Sequence, residues 1–348
     1  MKRNFLFGTI ILMAICISSP AWAADWNFYG SARVRTFYDS VDTGGTTTKN
    51  LTHALQSNAR IGAKVKVSDT LVGRFEYGAS NGNANLRHLY GEWDFGPGKL
   101  LVGQTDSLFN FALSNQVHET DKNMDTYGHS DAGRRAMVRL AFGNFKIAAL
   151  EQNLSAVIVA GSSTEAKLPK LEASYRQDFD NGYLILVGGY QKYELTTPTA
   201  RQYDVDSYVI ALGGQLKFGA AYLGADVWIG QNVDAYGYAC SPDGNPKEVG
   251  TTLKDNDAYG FVIAGGYKLN DIFSFEAGYG YVEAQVDDVT YVKDDTVAYY
   301  IQSTVTLADG VFFVPEIGRI DRGNNNGQPA PAAEDDTTYA GIKWQINF

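Results

Sequence analysis

The stretch "DTTYAGIKWQINF" (residues 336–348) alternates strictly between two kinds of side chain. One face carries Thr338, Ala340, Ile342, Trp344, Ile346 and Phe348. The other face carries Thr337, Tyr339, Gly341, Lys343, Gln345 and Asn347. Because neighbouring side chains of a strand point to opposite faces, the stretch is predicted to be a β-strand with one apolar face. Chain ends are usually frayed and polar, whereas this one keeps its pattern up to an aromatic residue.

The same alternation recurs along the whole chain. Four further examples are "WNFYGSARVRTFYD" (26–39), "LQSNARIGAKVKV" (55–67), "RRAMVRLAF" (134–142) and "TVAYYIQSTVTL" (296–307). Short turns rich in Gly, Asn and Asp, which supply the positive φ angles of tight hairpins, lie near 68–70, 96–98, 143–144, 180–182, 219, 270–271 and 308–310. Longer polar connections lie near 41–51, 81–84, 106–132, 154–167, 195–203, 233–256, 287–294 and 322–335.

Short turns that alternate with long loops are typical of a barrel that spans a membrane. Seven turns and eight loops join about sixteen strands, so the fold class is predicted as all-β, a transmembrane antiparallel up-and-down β-barrel. A closed barrel must pair its last strand with its first, since unpaired backbone groups in lipid are costly. This explains a final strand that is ordered to Phe348, where an interfacial aromatic girdle is expected. A soluble sandwich or β-helix is the alternative, but it would need shorter strands and a linker between two domains.

The amino-terminal residues have the features of an export signal. Lys2 and Arg3 precede the apolar run "FLFGTIILMAICI" (5–17), and "AWA" (21–23) has the small residues of a cleavage site. We therefore predict a cleaved signal peptide over 1–23 and one barrel domain over 24–348; a transmembrane helix is the alternative. The formal net charge of −10 becomes −12 without Lys2 and Arg3. Such an acidic chain disfavours nucleic acid as a partner.

The chain resembles the general porins of the Gram-negative outer membrane, the sixteen-stranded trimeric class. The resemblance rests on the signal peptide, "WNFYGSARVRTFYD", "NARIGAKVKVSDTLVGRFEYG" (58–78), "GEWDFGPGKLLVGQTDSLF" (91–109) and "YAGIKWQINF" (339–348). It implies an outer-membrane homotrimer for passive diffusion, with a third loop that folds inward and narrows the pore. It also implies that Phe348 acts as a signal for the barrel-assembly machinery. Outer-membrane lipid and lipopolysaccharide are the expected surroundings.

A barrel of this size leaves a water-filled lumen, and charged linings discriminate between ions. Residues that alternate with the apolar face of a strand are expected to point into the lumen. On the early strands, these inward positions include the basic residues Arg33, Arg35, Arg60, Lys64, Arg74, Arg135 and Arg139. The third loop supplies acids: Asp106, Glu119, Asp121, Asp125 and Asp131. We expect a basic wall to face an acidic loop across the constriction. Arg87 shares parity with Leu89 and Trp93, so we expect it to lie above the membrane.

Other chemistry has little support in the sequence. His118 and His129 lie in the third loop without the spacing of a metal site, which predicts solvated histidines and no metal. Cys240 has no partner in the mature chain and would be a free or intermolecularly paired thiol. No local motif marks a nucleophile and base, so no enzyme and no cofactor are predicted.

The sequence therefore predicts an outer-membrane porin for ions and small hydrophilic solutes, mildly cation-preferring because of its acidic loops. One alternative is a substrate-specific channel for sugars or organic anions; inward parity gives only scattered aromatics for a sugar track, namely Tyr29, Tyr90, Tyr300 and Tyr339. A second alternative is a non-conducting barrel that serves as an adhesin or structural anchor.

Overall fold

The structure, a computed structural model, describes residues 24–80, 83–121, 123–154, 158–325, 332–333 and 335–348. The predicted signal peptide lies outside the described residues. The strands of the first half are β1 (Asp25–Thr43), β2 (Thr46–Leu55), β3 (Arg60–Lys66), β4 (Leu71–Ser80), β5 (Asn83–Asp94), β6 (Lys99–Asp106), β7 (Arg134–Phe142), β8 (Phe145–Leu150), β9 (Ser163–Ala166) and β10 (Lys170–Phe179). Those of the second half are β11 (Gly182–Thr196), β12 (Gln202–Phe218), β13 (Ala221–Gln231), β14 (Lys247–Val249), β15 (Thr252–Lys254), β16 (Asn256–Lys268), β17 (Phe273–Val286), β18 (Asp294–Ala308), β19 (Val311–Asp321), β20 (Asn324–Asn325), β21 (Ala332–Ala333) and β22 (Asp335–Asn347). One short helix, α1 (Val233–Tyr236), lies among the described residues, and no helix there is long and apolar enough to cross a membrane.

The main sheet closes on itself as an antiparallel barrel. One edge of β1 pairs with β2 and β3, and the other edge pairs with β22 from Ser31↔Asn347 to Thr43↔Asp335. β2 and β3 form one barrel strand that is interrupted at residues 56–59, and β9 and β10 form another that is interrupted at 167–169. The 18 segments of the sheet therefore make sixteen barrel strands, which confirms the predicted fold class. β14–β15 and β20–β21 are small separate hairpins.

The connections differ in length between the two ends of the barrel. Seven turns of two to four residues lie at 67–70, 95–98, 143–144, 180–181, 219–220, 269–272 and 309–310. The opposite end carries the third loop (107–133), the sixth loop (232–255) and the other six connections. The connection between β1 and β2 differs from the expected long loop at 41–51. The two strands continue as a protruding hairpin that turns at Gly44 and Gly45.

The outward face of the barrel is apolar and exposed. Large side chains that are roughly half exposed line neighbouring strands, for example Leu186, Ile210, Leu212, Val227 and Ile229. A continuous apolar surface of this kind is unfavourable in water but suits the hydrocarbon of a membrane. Aromatic residues such as Trp26, Phe28, Phe75, Phe142 and Phe218 lie near the short-turn end, where a girdle is expected.

Phe348 is held at this end of the barrel. Its backbone amide donates to the Gly30 carbonyl at 3.1 Å, and the Gly30 amide donates to the Phe348 carbonyl at 2.6 Å. A Cβ on Gly30 would collide with the Phe348 ring, so the ring lies over the glycine of the neighbouring strand. The terminal residue is therefore part of the closing seam.

Candidate functional site

The third loop crosses the lumen and packs against half of the barrel wall. Phe109 and Leu113 are at most 1% exposed and belong to a cluster with Val187, Val209 and Trp228, which lie on the inward faces of β11, β12 and β13. These strands are therefore apolar on both faces, one toward lipid and one toward the loop. The sequence carried a signal for the half of the wall that the loop covers, because its strands have apolar residues on both faces. The argument from alternation did not use this signal.

Wall carboxylates hold the backbone of the third loop. The Glu172 carboxylate accepts from the Leu108 amide at 2.8 Å, and Glu276 accepts from the Asn115 amide at 2.7 Å. Glu316 accepts from two consecutive amides, Val117 at 2.7 Å and His118 at 3.0 Å. Asp226 accepts from the Ser130 amide at 2.7 Å. Because buried amides need acceptors and the loop has no regular structure of its own, these carboxylates fix its path.

Glycines of the wall let the loop approach closely. A Cβ on Gly213 would meet the Phe111 ring, and a Cβ on Gly280 would meet the Tyr127 carbonyl. A side chain at either position would push the loop away from the wall.

The sixth loop also folds inward and covers the third loop. Tyr236 and Tyr238 are fully buried, with ring centroids 5.8 Å and 5.5 Å from that of Phe109. The Ser241 amide donates to the Thr126 carbonyl at 3.1 Å. Lys170, itself fully buried, donates to the Tyr236 carbonyl at 3.1 Å. Two loops therefore fill one half of the lumen, and open space remains against β3–β7.

Three adjoining cavities lie around the third loop. An outer cavity of about 240 Å³ lies between the third and sixth loops, a middle cavity of about 420 Å³ between the third loop and β3–β7, and an inner cavity of about 580 Å³ on the short-turn side. Thr120, Asp125 and Asp131 line both the outer and the middle cavity. Asn58, Arg60 and Asp121 line both the middle and the inner cavity. The shared residues place the cavities in one series through the barrel.

One buried carboxylate on the strand wall serves three arginines. Glu76 lies 2.5 Å from Arg87, 2.7 Å from Arg74 and 3.7 Å from Arg60, and accepts from the Tyr29 hydroxyl at 2.8 Å. Three cations on one carboxylate leave a surplus of positive charge. Arg60 is the most weakly paired of the three and lines both the middle and the inner cavity.

Other predicted residues bind the loop directly. Arg33 forms a buried ion pair with Asp121, which Lys343 also approaches at 3.2 Å. Arg35 donates to the carbonyl oxygen of Glu119. We expected the arginines of the wall and the acids of the loop to face each other across open water. Arg33 and Arg35 instead contact the third loop directly, with no open space between them.

The acids predicted for the third loop are distributed along the path, although the first of them, Asp106, is the last residue of β6. Asp106 pairs with Arg134 at 2.8 Å and lines the middle cavity. Glu119 accepts from the Tyr127 hydroxyl at 3.2 Å and lines the outer cavity. Asp125 lines both the middle and the outer cavity.

Three predicted wall residues lie apart from this group. Arg135 lines a separate recess with residues 150–154 and 166–169. Arg139 pairs with Glu92 at 3.1 Å, closer to the short turns. Lys64 is exposed near the turn at 67–70 and has no ion pair within 4.0 Å among the described residues. We expected these three residues to help line the narrow region, but the structure places them away from it. Alternation along a strand tells on which side of the sheet a residue lies, but not how far along the barrel axis it lies or whether the loop covers it.

The structure also adds Glu76, Arg87, Arg134 and Lys343 to the lumen. Our expectation for Arg87 was wrong. A register shift between Glu76 and Tyr77 changes the pairing with β5, so that Arg87 and His88 are both buried. A bulge adds one residue to a strand and reverses the parity beyond it.

The histidines of the third loop are buried, which corrects their assignment as solvated. His118 is 5% exposed and lies 2.8 Å from Asp39, stacked on Tyr339 with ring centroids 3.7 Å apart. His129 is 1% exposed and lies 3.2 Å from Asp226. Among the described residues no three His, Cys, Asp or Glu side chains converge as metal ligands. Cys240 is a free thiol in the sixth loop.

Comparison with known proteins gives a family. The family model of Gram-negative porins matches residues 8–325. The chain belongs to the Gram-negative porin family. No curated protein sequence matches this porin significantly.

Solved structures share the fold. The outer membrane channel DcaP of Acinetobacter baumannii is 20% identical with a TM-score of 0.76, over 93% of this porin and 97% of that chain. OmpF of Salmonella typhi is 15% identical with a TM-score of 0.62, over 92% and 97% of the two chains. The trimer form of OmpT of Vibrio cholerae is 17% identical with a TM-score of 0.59, over 94% and 100%. At these identities the likeness establishes the barrel architecture. Together with the family, it supports a channel in the outer membrane.

Proposed function

We propose that this porin is a water-filled channel for passive diffusion of ions and small hydrophilic solutes across the outer membrane. The observation that carries the proposal is the series of three cavities inside a closed barrel, joined by shared polar residues such as Asn58 and Thr120. The apolar outer face supports a position of the barrel in lipid, and the charged lining suits solutes that carry their hydration with them. No catalytic role is proposed.

We further propose a homotrimer surrounded by outer-membrane lipid and lipopolysaccharide and assembled by the barrel-insertion machinery. The trimer form of OmpT, a structure of the same architecture, supports the oligomeric state. The position of Phe348 in the closing seam supports a role in assembly.

Mild cation preference is proposed from the total charge. The chain is acidic at −10, and acidic loop residues at the mouth would enrich cations. A substrate-specific channel for organic anions is the second candidate, since the surplus positive charge around Glu76 favours it. The reversal potential in a salt gradient separates the two candidates, because its sign follows the more permeant ion.

The proposed path can be tested by blocking it. We expect liposomes that contain the porin to swell in isosmotic arabinose, more slowly in glucose and slowest in raffinose. Thr120→Trp places a bulky ring where the middle and outer cavities meet and should lower all three rates severalfold. Thr251→Trp, on the exposed turn between β14 and β15, is the matched control and should leave them unchanged. Equal rates for both variants would place the path elsewhere.

A further inference from the structure

The base of the third loop is joined to the sixth loop by one buried carboxylate. Glu172, which is 1% exposed, accepts from the Ser107 hydroxyl at 3.2 Å and from the Leu108 amide at 2.8 Å. The same carboxylate accepts from the hydroxyl of Tyr236, a sixth-loop residue, at 3.0 Å. The start of the third loop therefore shares its acceptor on the wall with the sixth loop.

Two rings of the sixth loop enclose the next residue of the third loop, Phe109. The rings of Tyr236 and Tyr238 meet it edge to face, at interplanar angles of 80° and 89°, and all three side chains are fully buried. Edge-to-face aromatic pairs are favourable beyond the area that they bury. Without the two tyrosines, Phe109 would face the water of the lumen, so it would gain less by staying at the wall.

The inner segment of the sixth loop (233–246) is itself fixed to the wall. The Gln191 side chain donates to the Ala235 carbonyl at 2.8 Å, and Lys170 donates to the Tyr236 carbonyl at 3.1 Å. Buried backbone groups that have such partners open rarely. The segment therefore acts as a fixed brace between the wall and the third loop.

The sixth loop does not touch the narrow region directly. Among the described residues, the lining of the middle and inner cavities includes third-loop residues such as Asp121 and Asn123 but none from 232–255. The lining of the outer cavity includes Gly237 and Ala239 of the sixth loop. Any effect of the buried tyrosines on the size of the narrow region must therefore pass through the third loop.

Building on the proposed channel function, we infer that Tyr236 of the sixth loop is a positioning residue for the constriction. Together with Tyr238 it holds the base of the third loop against the wall, and the third loop in turn limits the size of the solute that can pass. A third loop without this cover samples more positions, and the wider ones admit solutes that the fixed loop excludes. The sixth loop thus sets the size limit of a narrow region that it does not line.

Liposome swelling with arabinose and raffinose tests this inference, because the two sugars are uncharged and differ in size. The raffinose-to-arabinose ratio of swelling rates should rise severalfold in Tyr236→Ala. It should also rise in Phe109→Ala, which removes the other partner of the contact. Because both changes release the same contact, the double variant should show no further rise. If Tyr236 only filled space in the lumen, the two effects would multiply instead.

Tyr203→Ala is the matched control, because the Tyr203 hydroxyl donates to Glu248 of the sixth loop at 2.8 Å, away from the contact with the third loop. Its ratio should equal that of the unmodified porin. Tyr236→Phe keeps the ring and loses the hydrogen bond to Glu172, so its ratio should rise less than that of Tyr236→Ala. The heat-modifiable gel shift checks that every variant is folded.

Each outcome has a defined meaning. A ratio that rises in Tyr236→Ala and in Phe109→Ala, without a further rise in the double variant, supports the inference. An unchanged ratio in folded Tyr236→Ala, effects that multiply in the double variant, or an equal rise in Tyr203→Ala overturns the inference while the channel stands. If Tyr236→Ala does not fold, a raised ratio in Tyr236→Phe supports the inference and an unchanged ratio overturns it. If neither sugar enters through the unmodified folded porin, the proposed channel function fails and the inference fails with it.

Discussion

Glu76 shows at the scale of one residue how the lumen is organised. Its fully buried carboxylate contacts Arg60, Arg74, Arg87 and the Tyr29 hydroxyl. Removing one member of a buried charged group leaves the others uncompensated, which costs more than the group itself contributes.

Glu76→Gln should therefore destabilise the barrel and shift its selectivity. We expect a loss of about 1–3 kcal/mol, the range for a hydrogen bond to a charged group that is left unmade. The reversal potential should move toward anions, because three arginines lose their shared countercharge. Urea titration followed by the heat-modifiable gel shift measures the first effect. Glu283→Gln, which breaks an outer pair with Lys293 at 3.0 Å, is the control and should cost less than about 1 kcal/mol. Equal losses in both variants would contradict a special role for Glu76.

Single residues also show how far parity predicts the lumen. Arg33, Arg60 and Arg74 lie on the inward face in the structure, the side that alternation predicts, since the strand period fixes the side of each residue. Alternation failed for Arg87, because the bulge in the pairing of β4 with β5 has no marker in the sequence. It could not distinguish Arg60, which faces open space, from Arg33, whose guanidinium is covered by Asp121.

At the scale of elements, the barrel strands were predictable and the conformations of the loops were not. Strand period and turn residues are local, so the closing β1–β22 pair followed from the sequence. The inward fold of the third and sixth loops depends on partners that are distant in the sequence. Glu316, for example, lies nearly 200 positions from the two amides whose hydrogen bonds it accepts. No local pattern encodes such contacts.

The third loop should depend on its wall carboxylates. Glu316→Ala leaves the Val117 and His118 amides without their acceptor, which should cost about 1–3 kcal/mol and loosen the tip of the loop. We expect larger current fluctuations in single open channels at fixed voltage. Glu283→Ala on the outer surface serves as the control. A current trace as quiet as that of the unmodified porin would show that other contacts hold the loop.

The sixth loop should respond to pH. Burial, with the nearby Asp243 carboxylate, raises the pKa of Asp234 to about 7, although its carboxylate accepts from the Gly244 amide at 2.8 Å. The folded loop thus keeps a proton that an unfolded aspartate, with a pKa of about 3.9, has lost. Its stability is complete below about pH 4 and falls as the pH rises from 4 to 7.

Hydrogen exchange of residues 232–255, corrected for intrinsic rates, measures this dependence. Protection should decline from pH 4 to pH 7 in the unmodified porin and stay level in Asp234→Asn. Asp288→Asn is the control, because a hydrogen bond from the Thr290 hydroxyl lowers the pKa of that exposed carboxyl. Protection that rises from pH 4 to pH 7 would contradict the predicted loss of loop stability over this interval.

At the scale of the whole molecule, the closing seam determines whether a barrel forms. Phe348→Ala removes the ring over Gly30 at the end of the last strand. We expect severalfold less heat-modifiable porin in the outer membrane of expressing cells. Phe218→Ala, an exposed aromatic at another short turn, is the matched control and should assemble normally. Equal yields of the two variants would show that assembly does not depend on the Phe348 ring.

The most direct test of the account is planar-bilayer conductance of the purified porin with a salt gradient across the membrane. The account predicts ohmic steps that close in groups of three, with a reversal potential that shows mild cation preference. Absence of steps from protein shown to be folded by its gel shift would contradict an open channel.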